Sequence, residues 1–194
     1  MKVTDITIFA NLTFFLINPI SSHIDIFYNT YKNITFVPYL ILEKGEYYRL
    51  ITSNFFHSNI FHLLTNMYSF YGFSYILENQ FRNSVNYAVL IFFLGILSNI
   101  IVIIMSLMEI YLFKTSNIYY TQILGFSNII FGLKIILLNK FNINTQYFGI
   151  ILNPNQTMIF ELIFASIMIP NASFYGHLSG IISGMLYINY YSDQ

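Results

Sequence analysis

The sequence predicts an all-α polytopic membrane protein, a bundle of six short transmembrane helices forming one domain, and three observations carry that reading. Hydrophobic residues make up 56% of the 194-residue chain and charged residues only 8%, whereas an ordinary soluble domain is roughly a quarter charged. Apolar stretches that cross or nearly cross a hydrocarbon core of about 30 Å appear six times. Polar clusters stand at the starts of three of them: His57-Ser58-Asn59-Ile60-Phe61-His62-Leu63-Leu64-Thr65-Asn66, Gly125-Phe126-Ser127-Asn128 and Gly176-His177-Leu178-Ser179-Gly180. Strongly polar groups at membrane depth are costly, so they mark a job rather than solubility.

The first span runs from about Ile6 to Ile17 behind Lys2. It has the look of a signal peptide, but no small-residue cleavage site follows. Asn18 and Pro19 break the helix instead and open a long loop, residues 18–50. That loop carries His23, Asp25, Lys32, Glu43, Lys44, Glu46 and Arg49 and an apolar patch from Phe36 to Leu42, and it is expected to fold against the membrane surface. The second span covers about Asn59 to Leu77, the third Tyr87 to Tyr111, the fourth Ile123 to Leu138, the fifth Met158 to Ile169 and the sixth Phe174 to Tyr190. Pro170 and Asn171 make the turn between the last two. No repeat, linker or soluble tail interrupts this pattern, so residues 1–194 read as a single domain.

Several function classes drop out. Net charge is zero and Lys and Arg are scattered, which argues against nucleic acid as a partner. Cysteine is absent, removing disulfides, thiolate nucleophiles and Cys-ligated metals. No His-Glu-x-x-His occurs, and on a continuous helix His57 and His62 would point roughly 140° apart, so no metal site is expected. No cofactor site is expected either. The aspartates are Asp5, Asp25 and Asp193, none in a polar cluster, which disfavours an aspartyl protease; the absence of inverted repeats disfavours a transporter. Of the Asn-x-Ser/Thr triplets at Asn11, Asn33, Asn155 and Asn171, only Asn33 in the loop is placed to accept a glycan. Lys and Arg divide evenly between the two sides, so charge bias does not set an orientation.

In a chain of six spans the second, fourth and sixth enter from the same side, which puts the three polar clusters at one depth. His62 and Asn66 lie about 40° apart on one helix face, whereas His57 is expected to point away from them. His177 shares a stripe with Gly180 and Gly184, and small residues let a neighbouring helix approach closely. If that neighbour is the fourth span, relieved by Gly125 and Gly132, Ser127 comes within reach of His177, as a serine nucleophile and its base require. Each feature alone has an ordinary reading. Membrane-helix serines bond their own backbone, glycine stripes pack, and single histidines sit at interfaces. It is their joint occurrence in one layer that points to catalysis. Lys134 and Glu161 fall at similar depth and are expected to form a structural ion pair.

These residues resemble the rhomboid family of intramembrane serine proteases. His57-x4-His62-x3-Asn66, Gly125-x-Ser127 and His177-x2-Gly180-x3-Gly184 match its motifs in order and spacing, with Tyr48-Arg49-Leu50, Leu77-Glu78 and Phe131 as supporting matches. The likeness covers residues 47–187 and is nearest to the endoplasmic-reticulum type with a single rhomboid domain, rhomboid-domain-containing-1. It implies an endopeptidase that cleaves the transmembrane segments of membrane-protein substrates within a lipid bilayer. Ser127 would be the nucleophile and His177 the base, without a third acidic member. Asn66, His62 and the Ser127 N–H would form the oxyanion hole, His57 would order the entrance of the second span, and Phe131 would pack on the His177 ring. Both termini would face the cytosol, in the endoplasmic reticulum or another endomembrane. The chain departs from the family at Asn128, where Gly or Ala is usual; the larger amide either crowds the helix contact or adds a hydrogen-bonding group. It also lacks the long cytosolic tail frequent in that subtype, so recruitment is expected to need another protein. The alternative reading is a proteolytically silent, derlin-like relative that binds membrane clients.

Overall fold

The computed structural model describes residues 1–17, 33–169 and 172–192, the side chains of Ile17, Tyr191 and Ser192 excepted. The Asn18-Pro19 break, His23, Asp25, Lys32, the Pro170-Asn171 turn with its Asn171 triplet, and Asp193 lie outside the described residues. In chain order the elements are helices α1 (Val3–Ile17), α2 (Pro38–Lys44), α3 (Arg49–Thr52), α4 (Ile60–Glu78), α5 (Ser84–Phe113) and α6 (Ser127–Lys140), strands β1 (Thr145–Tyr147) and β2 (Ile150–Leu152), and helices α7 (Pro154–Met168) and α8 (Phe174–Ser192).

Each predicted apolar stretch forms a helix, and local caps decide where three of them begin. Asn59 Oδ1 accepts from the His62 N–H at 2.9 Å and starts α4, and Asn83 Oδ1 does the same for α5 through Val85. A reciprocal Asn153–Gln156 capping box, with Pro154 in the first turn, starts α7 four residues before the predicted Met158. Among the described residues only α5, 30 residues long, is by itself long and apolar enough to cross a membrane. The 14 residues of α6 and 15 of α7 extend a little over 20 Å at about 1.5 Å per residue, short of a full hydrocarbon core.

The fourth stretch departs most from expectation. Helix α6 starts at Ser127 rather than Ile123, because Ile123 is tied by two backbone hydrogen bonds of 2.9 Å to Phe36 and Gly125 takes φ +111°, a left-handed conformation that only glycine adopts freely. Ser127 therefore sits at the first helical position. Helix α6 is the centre of the molecule, packed on α4, α5, α7 and most closely α8. Its Ile129, Ile130, Leu133, Ile135, Ile136, Leu137 and Leu138 are all buried, which explains a helix apolar on every face.

Polarity is distributed inside out for a soluble protein. Thr4, Asn11, Ser74, Ser98, Asn99, Ser106, Thr157 and Ser183 are buried, while Phe9, Leu16, Phe61, Tyr68 and Ile167 are among the large apolar side chains left facing outward. An apolar exterior with polar side chains between helices suits lipid as the solvent. Asn11 is thus closed to glycosylation, and Asn33 is exposed.

The Phe36–Leu42 patch turns inward at Phe36 and Ile41. Phe36 and Ile41 are buried with Val102, Ile118 and Ile123. Arg49, also buried, locks the loop by donating from Nη1 to the Thr35 carbonyl at 2.6 Å and from Nε to Glu46 Oε2 at 2.6 Å. The bond from Arg49 holds the Glu46 carboxyl below the usual carboxylate range, against the opposing effect of burial.

Two polar joints fix the remaining helices. The buried Glu78 carboxylate at the end of α4 accepts from the N–H groups of Val3 at 2.8 Å and Thr4 at 3.0 Å and from the Thr4 hydroxyl at 2.7 Å, so it caps the N-terminus of α1 from another helix. Between α6 and α7, Lys134 Nζ meets Glu161 Oε1 at 2.5 Å, the predicted pair, and the Tyr147 hydroxyl donates to the same oxygen at 2.5 Å. Tyr147 belongs to a β1–β2 hairpin absent from the sequence expectation. Its two-residue turn, Phe148-Gly149, has positive φ at both positions, the geometry that matches strand twist.

Candidate active site

The N-terminal ends of α4, α6 and α8 meet, each contributing one of the three polar clusters. Helices α6 and α8 are pressed together backbone to backbone at Gly180 and Gly184. A Cβ on Gly180 would collide with the Asn128 carbonyl oxygen, and one on Gly184 would lie 2.5 Å from the Gly132 carbonyl oxygen. Contacts of 128 with 180 and 132 with 184 make the two helices parallel, so Ser127 and His177, each just ahead of a contact, belong to the same end of the seam. Gly132 takes part as expected. Gly125 does not, because it faces α4 rather than α8.

His177 is buried, and its ring stacks on Phe131 with centroids 4.4 Å apart and planes 15° apart. Phe131 is one turn beyond Ser127 on α6, so the stack holds the imidazole alongside the helix that carries the hydroxyl. Its buried Nδ1 makes no hydrogen bond among the described residues, so no acidic side chain orients the ring. Stacking and the close seam do that instead.

On the other side, His62 and Asn66 converge on Gly125. A Cβ placed there would be 2.6 Å from His62 Cε1, 2.8 Å from His62 Nε2 and 3.4 Å from Asn66 Nδ2. Only glycine fits, for this reason and for its φ. The Asn66 Nδ2 is buried and has no hydrogen-bond partner among the described residues, which leaves a donor beside Gly125. His62 Nδ1 lies 3.1 Å from the Ser58 hydroxyl. If that hydroxyl donates, the ring proton sits on Nε2, the nitrogen beside Gly125.

His57 belongs with this cluster, contrary to the azimuth argument. It precedes the Asn59 cap and lies outside α4, so helical periodicity does not govern it. Its ring is 5.1 Å from that of His62, and its Nε2 accepts from the Phe126 N–H at 3.4 Å. Asn128 also resolves. Its side chain turns away from α8 and is buried against Asn54, so it adds hydrogen bonds rather than crowding the seam. Sequence reasoning passed over Asn54, Ser58 and Asn99, whose polar side chains lie in or beside α3, the α4 cap and α5. The Asn59 cap signal would have placed His57 and Ser58 in a turn; nothing local singles out Asn54 or Asn99.

A groove of about 890 Å³, lined by Phe81, Asn86, Phe93, Tyr187 and Tyr190 among others, lies between the start of α5 and the end of α8. It is at the far end of the bundle from Ser127.

Comparison with known proteins identifies the family. The family model described as Rhomboid domain matches residues 44–194. The mitochondrial Rhomboid-like protein 14 of Arabidopsis thaliana is 31% identical over 173 residues, covering 89% of this chain and 49% of that protein. A putative rhomboid protein of Acanthamoeba polyphaga mimivirus is 29% identical over 147 residues, 75% of each chain. Rhomboid-like protein 15 of Arabidopsis thaliana is 25% identical over 164 residues, 82% of this chain and 40% of that one. The chain spans about half the length or less of the two plant relatives. Of these names the one that states a compartment gives the mitochondrion, so the endoplasmic-reticulum subtype gains no support.

Proposed function

Because the chain belongs to the rhomboid family of membrane proteins, we propose that it is an intramembrane serine endopeptidase, with Ser127 and His177 as a catalytic dyad and His62 and Asn66 as oxyanion donors. The observation that carries this reading is the pairing of α6 and α8 at Gly132, Gly180 and Gly184, with the His177 ring stacked on Phe131 one turn from Ser127. All six long helices cross the bilayer in this reading, the short ones at a site where the surrounding protein and a thinned hydrocarbon layer accommodate them.

In the proposed reaction His177 takes the Ser127 proton as Oγ attacks a peptide carbonyl, then returns it to the leaving amine; water resolves the acyl-enzyme by the same exchange. Charge develops on the carbonyl oxygen as it becomes tetrahedral. Three donors suit it: the unpartnered Asn66 Nδ2, the His62 Nε2–H when Ser58 donates to Nδ1, and the Ser127 N–H, one of the open amides of a helix N-terminus. Each such donor is worth roughly 3 kcal/mol of transition-state stabilisation. The substrates are transmembrane segments of membrane proteins, those with small or helix-breaking residues unwinding most readily into the site.

The test uses the full chain in lipid bilayers. A fluorophosphonate probe should label the protein and a model transmembrane substrate should be cut, and Ser127→Ala and His177→Ala should each abolish both. Labelling that persists in Ser127→Ala places the nucleophile elsewhere. A protein that never labels overturns the dyad and favours the derlin-like client binder.

A further inference from the structure

We propose that Asn54 and Asn128 are a pair of positioning residues that hold the turn carrying Ser127, a role that rests on Ser127 being the nucleophile. Helix α6 begins without an ordinary cap, since its N-cap residue is Phe126 and no side chain there accepts a hydrogen bond. Asn128 supplies the missing acceptor from inside the helix, its Oδ1 taking the Ile129 N–H at 2.8 Å. Its Nδ2 then donates to Asn54 Oδ1 at 2.9 Å, and Asn54 Nδ2 donates to the Leu50 carbonyl at 3.0 Å. Backbone groups of opposite kind terminate the relay, an N–H at one end and a carbonyl at the other, so both amides have a single orientation.

The relay is built into the packing. Asn128 is 3% exposed and Asn54 4%. Gly95 on α5 makes room for Asn54, since a Cβ there would lie 2.9 Å from its Nδ2. Asn99, one turn on, donates to the Leu50 carbonyl at 2.9 Å and so ties the same peptide to α5. The segment before α4 touches the nucleophile turn at three successive points. The Ser53 carbonyl accepts from the Gly125 N–H at 3.0 Å, His57 Nε2 takes the Phe126 N–H, and Asn54 holds Asn128. Ser127 is thus bracketed on both sides by residues 53 and 54, while Gly180 presses on the Asn128 backbone from α8. Removing either amide leaves a buried partner unsatisfied and frees the first turn of α6 to rotate against α8. A small side chain at 128 would strand the Ile129 N–H and leave Asn54 Oδ1 only the longer bond from Asn99 Nδ2 at 3.4 Å, so the two asparagines belong to one device.

The experiment measures fluorophosphonate labelling rate, kcat and KM for a model transmembrane substrate, thermal unfolding and amide hydrogen exchange, all on the full chain in bilayers. The variants are Asn54→Ala, Asn128→Ala, their double variant and Asn128→Ser, which keeps an oxygen for the Ile129 N–H but does not reach Asn54. Each single variant should lower labelling and kcat on the order of tenfold to a hundredfold, as a misplaced nucleophile does, with KM little changed. The double variant should be no slower than the slower single. Amides 125–130 should exchange faster in all four. Asn128→Ser labelling at the parental rate, losses that multiply in the double variant, or losses in rate that simply follow the melting temperature would each overturn the pairing. A parental protein that does not label refutes Ser127 as nucleophile and leaves the pairing to the exchange measurement, where unchanged protection of 125–130 sinks it.

Discussion

The α6–α8 seam and the α1–α4 joint solve the same problem, fixing one helix against another inside a bilayer, by opposite means. At α6–α8 side chains are removed: Gly132, Gly180 and Gly184 let backbones touch. At α1–α4 a side chain is added, the buried Glu78 carboxylate that takes the first amides of α1. Backbone contact tolerates no change in distance, so it suits the helices that carry Ser127 and His177. A carboxylate reaching three donors tolerates small shifts, so it suits a helix whose task is support. Mobility at the joint would alter stability; with Ser127 and His177 as the proposed dyad, mobility at the seam would alter chemistry.

The contrast can be broken from the seam. Gly180→Ala places a methyl inside the Asn128 carbonyl and should cut fluorophosphonate labelling on the order of a hundredfold, with a loss of about 1–3 kcal/mol in unfolding free energy from overpacking. Labelling at the parental rate would mean that the seam does not set the reacting geometry. At the joint, Glu78→Ala should cost a comparable 1–3 kcal/mol, since it strands buried donors, yet leave the labelling rate of the folded fraction within about twofold, because nothing in α1 enters the Ser127 turn. A specific loss of rate in that variant would erase the distinction between the two regions. The smallest effect belongs to a third joint, Lys134–Glu161, whose side chains are 26% and 17% exposed. Glu161→Gln should cost about 1 kcal/mol, between the values for exposed and buried pairs, read as a lower melting temperature. Unchanged folding and yield would remove this pair from the determinants of the fold.

Much of this was legible before any coordinate. Apolar runs located all six long helices, and the Lys134–Glu161 pair followed from depth alone, since a charge at that level needs a partner. The motif residues His62, Asn66, Ser127 and His177 fell on one end of the bundle because alternate helices enter from one side. Phe131 meets the His177 ring as its spacing from Ser127 implied. The errors share a cause. A helix extended back through Asn59 sets His57 apart, but the Asn59 cap starts α4 there and frees His57 from helical periodicity. Ser127 was placed within a helix that starts at that residue, because the Ile123–Phe36 bridge is a contact between segments 87 positions apart and leaves no local trace.

Composition and periodicity determined the membrane class of the chain and the places of its six long helices, because those depend on free energies of transfer that every residue carries with it. The conformation of Gly125, the inward turn of His57 and the orientation of Asn128 toward Asn54 were decided only when distant segments met. Hydrogen-bond direction and the sub-ångström approach of two backbones are properties of pairs of groups, and a pair exists only in the folded chain.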